Sequence, residues 1–170
     1  MVGVGAALTL EKRRRWFTGR RGIAAGYGRF RRWAAFLMNN DAVSFALMAW
    51  FTRGSLALPI PSSLRLAGGI GCILLGAAVK LWARAALGSS GYHWRDFFEP
   101  NPTTPSQPPG PYRYLKNPMY TLGYLHAYGI ALVLGSLPGL LLALFDQLTI
   151  LAFYRAVEKP HFEQLSAGQQ

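Results

Sequence analysis

The chain has 170 residues, enough for one domain, and 51% of them are hydrophobic while only 15% are charged, against about 25% charged in an ordinary soluble domain. Its net charge of +11 comes from 18 Lys and Arg against 7 Asp and Glu, but no recognition motif accompanies the excess, which points to an anionic membrane surface and not to nucleic acid. A lone cysteine, Cys72 in an apolar run, excludes an intrachain disulfide and is expected to be a buried, inert thiol.

Residues 1–32 are basic. Lys12, Arg13, Arg14, Arg15, Arg20, Arg21, Arg29, Arg31 and Arg32 supply half of the basic residues, with Trp16, Phe17, Tyr27 and Phe30 between them. The pattern predicts a cytoplasmic segment that either lies on an anionic membrane surface or is disordered. The apolar start, 2–10, precedes the basic cluster, the reverse of a cleavable signal, so the N-terminus is read as mature and cytoplasmic.

Four spans are expected. The first covers about 41–58, capped by Asp41, with Arg53 reaching the far interface and Pro59 and Pro61 ending it. The second covers 64–87, with Gly68, Gly69, Gly71 and Gly76 on a small-residue face for close packing. Lys80 and Arg84, near its end, are expected to snorkel outward. Residues 88–118 form a polar loop holding seven of the chain's 11 prolines, and its length marks it as either disordered or functional. The third span covers 119–135 and the fourth 140–156, joined by the uncharged turn Ser136-Leu137-Pro138-Gly139. Most basic residues outside the spans fall in the N-terminus, the 88–118 loop and the tail from Arg155, so both termini are expected in the cytoplasm. The fold class is all-α: a polytopic membrane protein of about four transmembrane helices, with a site at the cytoplasmic face. It divides into a basic segment (1–32), a transmembrane domain (33–163) and a short tail (164–170).

Three polar segments should meet at that face: 88–96, containing Gly88, Gly91, His93 and Asp96; 110–120, containing Arg113, Asn117, Pro118 and Tyr120; and 158–163, containing Glu158. Their convergence is what suggests a site. Gly88 and Gly91 either end a helix or let backbone approach a ligand closely. Arg113 and Lys116 are orientation charges or partners for a phosphate or carboxylate. Tyr120, Tyr124 and Tyr128 recur every fourth residue, giving a packing stripe or a face that stabilises a cation. Asp146, inside the fourth span, needs a partner or a role. The histidines at 93, 126 and 161 lack metal-ligand spacing, so no metal is expected, and HExxH, CxxC, P-loop and GxGxxG motifs are missing.

The same segments resemble the phospholipid methyltransferase group, which includes phosphatidylethanolamine N-methyltransferase and the isoprenylcysteine carboxyl methyltransferases. The likeness covers roughly residues 85–163. Gly88-Ser89-Ser90-Gly91 followed by Asp96-Phe97-Phe98 looks like the glycine-containing cofactor motif. Gly110-Pro111-Tyr112-Arg113-Tyr114 with Asn117-Pro118-Met119-Tyr120 resembles the central motif, and asparagine at 117 is the choice of the phosphatidylethanolamine branch. Tyr154 to Phe162 looks like the segment with a glutamate pair, although the second glutamate is Lys159 here and the tail ends early at Gln170.

The resemblance implies an S-adenosylmethionine-dependent membrane methyltransferase acting on a lipid, with a phosphatidylethanolamine-type headgroup amine as the first reading. Gly88, Gly91, Arg113, Asn117, Pro118, Tyr120 and Glu158 would bind the cofactor, and His93, Asp96 or Glu99 would take the proton that the amine must lose. One alternative is a prenylcysteine carboxylate or another lipophile as acceptor, and another is a sterol-reductase-like activity. A last one is a non-catalytic relative that binds or assembles in the membrane, because of Lys159 and the short tail. The expected location is the cytoplasmic membrane of a bacterium or the endoplasmic reticulum of a eukaryote.

Overall fold

Long apolar runs broken by glycine and proline fold into helices, and no strand occurs among residues 2–19, 22–92, 94–99 and 110–167, which the computed structural model describes. The helices are α1 (Val2–Arg14), α2 (Ile23–Phe51), α3 (Ser62–Tyr92), α4 (Leu125–Leu134), α5 (Leu137–Phe153) and α6 (Lys159–Ala167). Three short 3₁₀ turns, Arg95–Phe97, Gly110–Arg113 and Leu122–Tyr124, lie between α3 and α4, and a π-helical turn, Tyr154–Glu158, joins α5 to α6.

The stretches Ser62–Gly88 and Leu137–His161 are long and apolar enough to cross a membrane. In each, only 22% of the most apolar window is buried inside the fold, whereas the core helix of a water-soluble domain is mostly buried. Leu74, Leu81, Leu141 and Phe145 are all at least 60% exposed along them, a surface suited to lipid. The apolar helix Leu122–Leu134 is shorter; at 1.5 Å per residue it falls below the ~30 Å hydrocarbon core.

The first expected span is corrected. Helix α2 starts well before Asp41, which is therefore interior and caps nothing, and it ends at Phe51 and not near 58. Gly54 takes a left-handed φ of 79°, which a continuing helix does not allow. The chain then straps itself to the end of α4, with Gly54 N donating to Leu134 O (3.1 Å) and Leu56 N to Gly135 O (2.8 Å). Thr52 Oγ1 and Ser136 Oγ share a 2.6 Å hydrogen bond at the same end, and the Ser136 hydroxyl caps α5 by accepting from Gly139 N at 2.8 Å. Arg65 Nη1 donates to the carbonyls of Leu132 and Val133, which α4 leaves open as it ends.

The glycine face of α3 does pack closely, through two of its four glycines. A Cβ on Gly69 would meet Gly129 O at 3.0 Å, one on Gly129 would meet Gly69 O at 2.5 Å, and one on Gly76 would collide with His126 N; Gly68 and Gly71 face open space. This close approach overturns the outward path expected of Lys80. Its stem passes against Gly123, and its Nζ lies 3.4 Å from His126 Nε2. His126 Nδ1 is engaged by the Gly123 carbonyl at 2.6 Å, so Nε2 is left to accept from the lysine. Cys72 is half-buried, not buried.

The described residues of the N-terminal segment are largely helical and pack into the fold. Val4, Ala7 and Leu8 of α1 join Phe30 and Ala34 of α2, Trp94, Phe98 and Phe153 in one buried cluster. Phe30 lies 4.9 Å from Phe98 and meets Trp94 edge-on at 6.3 Å, and Trp94 meets Phe153 edge-on at 5.9 Å. Glu11, only 4% exposed, accepts from Phe17 N at 2.6 Å and from the Thr18 hydroxyl, which closes the turn after α1. Lys12 Nζ reaches Gln164 of α6 at 2.7 Å. Apolar residues of the basic segment therefore face the fold, while Lys12, Arg13, Arg14 and Arg15 stay exposed.

Gly129→Leu should destabilise the protein by about 1–3 kcal/mol, because the added side chain must push α3 and α4 apart. Gly71→Leu, on the open side of α3, should leave the thermal unfolding midpoint in detergent unchanged.

Candidate active site

The π turn decides where the last acidic residue points. The extra residue that a π turn holds shifts the helix register over Tyr154–Glu158, and such turns recur at functional sites. It brings Glu158 inward, to 6% exposure. Trp94 Nε1–H and Tyr120 O–H both donate to its Oε1, the latter at 2.8 Å. Trp94 holds a left-handed φ of 54°, an uncommon conformation for a bulky side chain and a strained one. Three segments distant in sequence thus converge on one oxygen.

A third aromatic residue lies within electrostatic range of Glu158. Tyr112, in the Gly110–Arg113 turn, is raised above its ordinary pKa of 10.0 by burial first and by the Glu158 charge second, so it stays a neutral phenol. Among the described residues no cation pairs with Glu158. A buried carboxylate without a counter-ion is costly. With Trp94, Tyr112 and Tyr120 around it, the site suits a positively charged ligand.

The other expected site residues divide. Gly88 breaks α3 with a φ of 68°, and a Cβ there would meet nothing within 4 Å; the backbone is open to approach. Gly91 falls in the helical turn after that break. His93 lies outside the described residues. Asp96 is buried at 3% exposure, and its carbonyl lies 3.3 Å from His161 Nε2. Glu99 is held by Arg95 at 2.6 Å. Arg113 is exposed. Asn117 and Pro118 shape the turn into α4: the Asn117 carbonyl accepts from Thr121 N (3.1 Å) and its hydroxyl (2.7 Å), and the Pro118 carbonyl accepts from Gly123 N at 2.8 Å. Pro118 itself is fully buried.

The tyrosine stripe is put to separate uses. Tyr120 holds Glu158, while Tyr128 donates to Gln147 Oε1 at 2.7 Å. Gln147 Nε2 returns to Tyr120 O at 3.1 Å, which fixes the Tyr120 backbone to α5. Asp146 is half-buried, and Asp41 of α2 lies within electrostatic range of it. Lys159 does not enter the Glu158 site: it is 3.6 Å from Glu163, and both side chains are more than half exposed. Sequence reasoning misses the roles of Trp94 and Tyr112. The available signal is an indole N–H and a phenol, both able to donate, inside segments already marked as converging.

Residues 64–167 match the phospholipid methyltransferase family, and the chain belongs to that family. It is 33% identical over 136 residues to a phosphatidylethanolamine N-methyltransferase of Schizosaccharomyces pombe, a match covering 75% of this chain and 14% of the relative. A protein of that description from Podospora anserina is 36% identical over 92 residues, covering 52% of this chain and 10% of the relative. Another, from Pyricularia oryzae, is 37% identical over 92 residues, covering 52% and 9%. The matched part is a small fraction of these relatives' length. No solved structure matches the chain.

Because Tyr112 ionises less readily in the folded protein than in the unfolded one, folding stability should be full below the ordinary pKa of 10.0 and decline as pH rises above it. Tyr112→Phe should flatten that alkaline decline in thermal unfolding measured between neutral and strongly alkaline pH.

Proposed function

We propose that the chain is an S-adenosylmethionine-dependent membrane methyltransferase acting on the headgroup amine of a phospholipid of the phosphatidylethanolamine type. The observation that carries this reading is the buried Glu158 carboxylate, oriented by Trp94 and Tyr120 and without a cationic partner among the described residues. Membership of the phospholipid methyltransferase family supports the substrate class.

The residues fit the cofactor. Glu158 would meet its positive charge, Trp94 and Tyr120 would orient the carboxyl, and Gly88 and Gly91 would give backbone access. S-adenosylmethionine, when bound, supplies an electrophilic methyl group on a sulfonium. The chain's own contribution is then to position the amine in line and to exclude water, which can lower a barrier by up to ~7–11 kcal/mol. The attacking amine must first be neutral. Asp96, buried two residues after Trp94, is one acceptor this reading offers, beside His93 and Glu99.

In this reading residues 33–163 form the methyltransferase domain, crossing the membrane about four times, with the short helix Leu122–Leu134 extended toward the surface by the turn residues before it. The basic segment 1–32, the 88–118 loop and the tail share the cytoplasmic side, which the positive-inside rule supports.

The test uses purified protein in vesicles containing phosphatidylethanolamine with labelled methyl donor. The expected product is an N-methylated phospholipid, with donor binding by calorimetry lost in Glu158→Ala. A base-labile methyl ester on a prenylated cysteine would assign the carboxylate acceptor instead, and no donor binding by folded protein would overturn the reading. Asp96→Asn should lower turnover by about 10²–10⁴ while leaving donor affinity unchanged.

A further inference from the structure

Near the Glu158 site the surface holds a cleft. This cleft of about 520 Å³ opens between the Leu115–Thr121 segment and the α5–α6 junction, a volume within the roughly 300–1,000 Å³ of small-molecule sites. Lys116 borders it from one side, and Arg155 and Lys159 from the other. Lys159 has only its loose contact with Glu163, and among the described residues neither Lys116 nor Arg155 pairs with an acid. Three like charges from separate elements around one cleft give it a positive potential that favours an anion.

The remaining walls narrow the kind of anion. Leu115 and Leu151 supply apolar surface beside the charges, so the cleft suits an amphiphile better than a small hydrated ion. Asn117 also lines it and adds a polar side chain beside the cations. A guanidinium and an ammonium together match phosphate oxygens. The cleft and the Glu158 site share a wall: Tyr154, which lines the cleft, meets Tyr120 edge-on at 6.4 Å, and Tyr120 holds Glu158.

We propose that this cleft binds the phosphate group of a phospholipid, with Arg155 and Lys116 as its main cations, Lys159 at its rim, and the glycerol end of the lipid along Leu115 and Leu151. The inference rests on the phospholipid reading above and extends it: phosphate held here leaves the headgroup beyond it beside the Tyr120 wall.

The experiment measures binding of dihexanoyl phosphatidylethanolamine to the full chain in detergent, for the native protein and for the double variant Lys116→Gln/Arg155→Gln. Diacylglycerol of the same chain length and inorganic phosphate serve as competitors. The double variant should bind the lipid at least about tenfold more weakly, with unchanged thermal stability and unchanged S-adenosylmethionine affinity. Diacylglycerol should not compete. Unchanged lipid affinity in the folded double variant overturns the proposal, and so does inorganic phosphate binding as tightly as the lipid, which would make free phosphate the occupant. Failure of this inference and failure of the proposed function are distinguishable. Methyl transfer with unchanged lipid affinity in the variant removes the cleft alone, and weakened lipid binding without methyl transfer in the native protein removes the activity alone.

Discussion

Glu158 is the point at which three separate parts of the chain are tied together. Its Oε1 receives the indole of Trp94, from the turn after α3, and the phenol of Tyr120, from the turn before α4, while Glu158 itself ends the π turn after α5. Hydrogen bonds to a charged acceptor are stronger than those between neutral groups, and a buried charge left without them would be severely unfavourable. The arrangement therefore both closes one end of the helical assembly and holds an acidic side chain beside aromatic residues. The strained backbone of Trp94 belongs to the same constraint, since the indole must face the carboxylate while Phe30 and Phe153 pack against its ring.

The rest of the fold serves that end from a distance. The opposite end is pinned by Thr52, Ser136 and Arg65, which satisfy groups left open where α4 and α5 meet. Between the ends, Gly69, Gly76 and Gly129 bring α3 against α4 at backbone distance, so that the turn carrying Tyr120 leaves α4 in a fixed direction. Helix α1 adds Val4 and Leu8 to the cluster behind Trp94. The chain's basic N-terminal segment thereby stiffens the wall of the site.

Much of this is legible in the sequence, and the reasons for the exceptions are physical. The helical class, the α4–α5 hairpin and the convergence of the segments around residues 88, 120 and 158 follow from apolar runs and from the punctuation between them. Family membership follows from motifs whose order and spacing recur. The packing of α1 is hidden because arginines dominate the composition of 1–32, while the few apolar residues that matter, Val4, Leu8 and Phe30, find their partners only in the folded state. The start of α2 is obscured because Asp41 reads as a cap in isolation. Lys80 turns inward because of the close approach made possible by Gly76 and Gly123, which is a tertiary fact. The π turn leaves no periodic signature, so family likeness can suggest a role for Glu158 but cannot name its donors. Lys159 departs from the glutamate pair of the family resemblance, yet it lies on the outer cleft and leaves the Glu158 site intact.

The most direct test of this account is a double-mutant cycle between Trp94 and Glu158, read as S-adenosylmethionine affinity of the native protein, Trp94→Phe, Glu158→Gln and the pair. If the indole acts by orienting the carboxylate, the double variant should bind no more weakly than Glu158→Gln alone, giving a coupling within the range of about 0.5–3 kcal/mol seen for contacting residues. Losses that simply add would contradict the account, because they would mean that Trp94 and Glu158 act on the ligand independently.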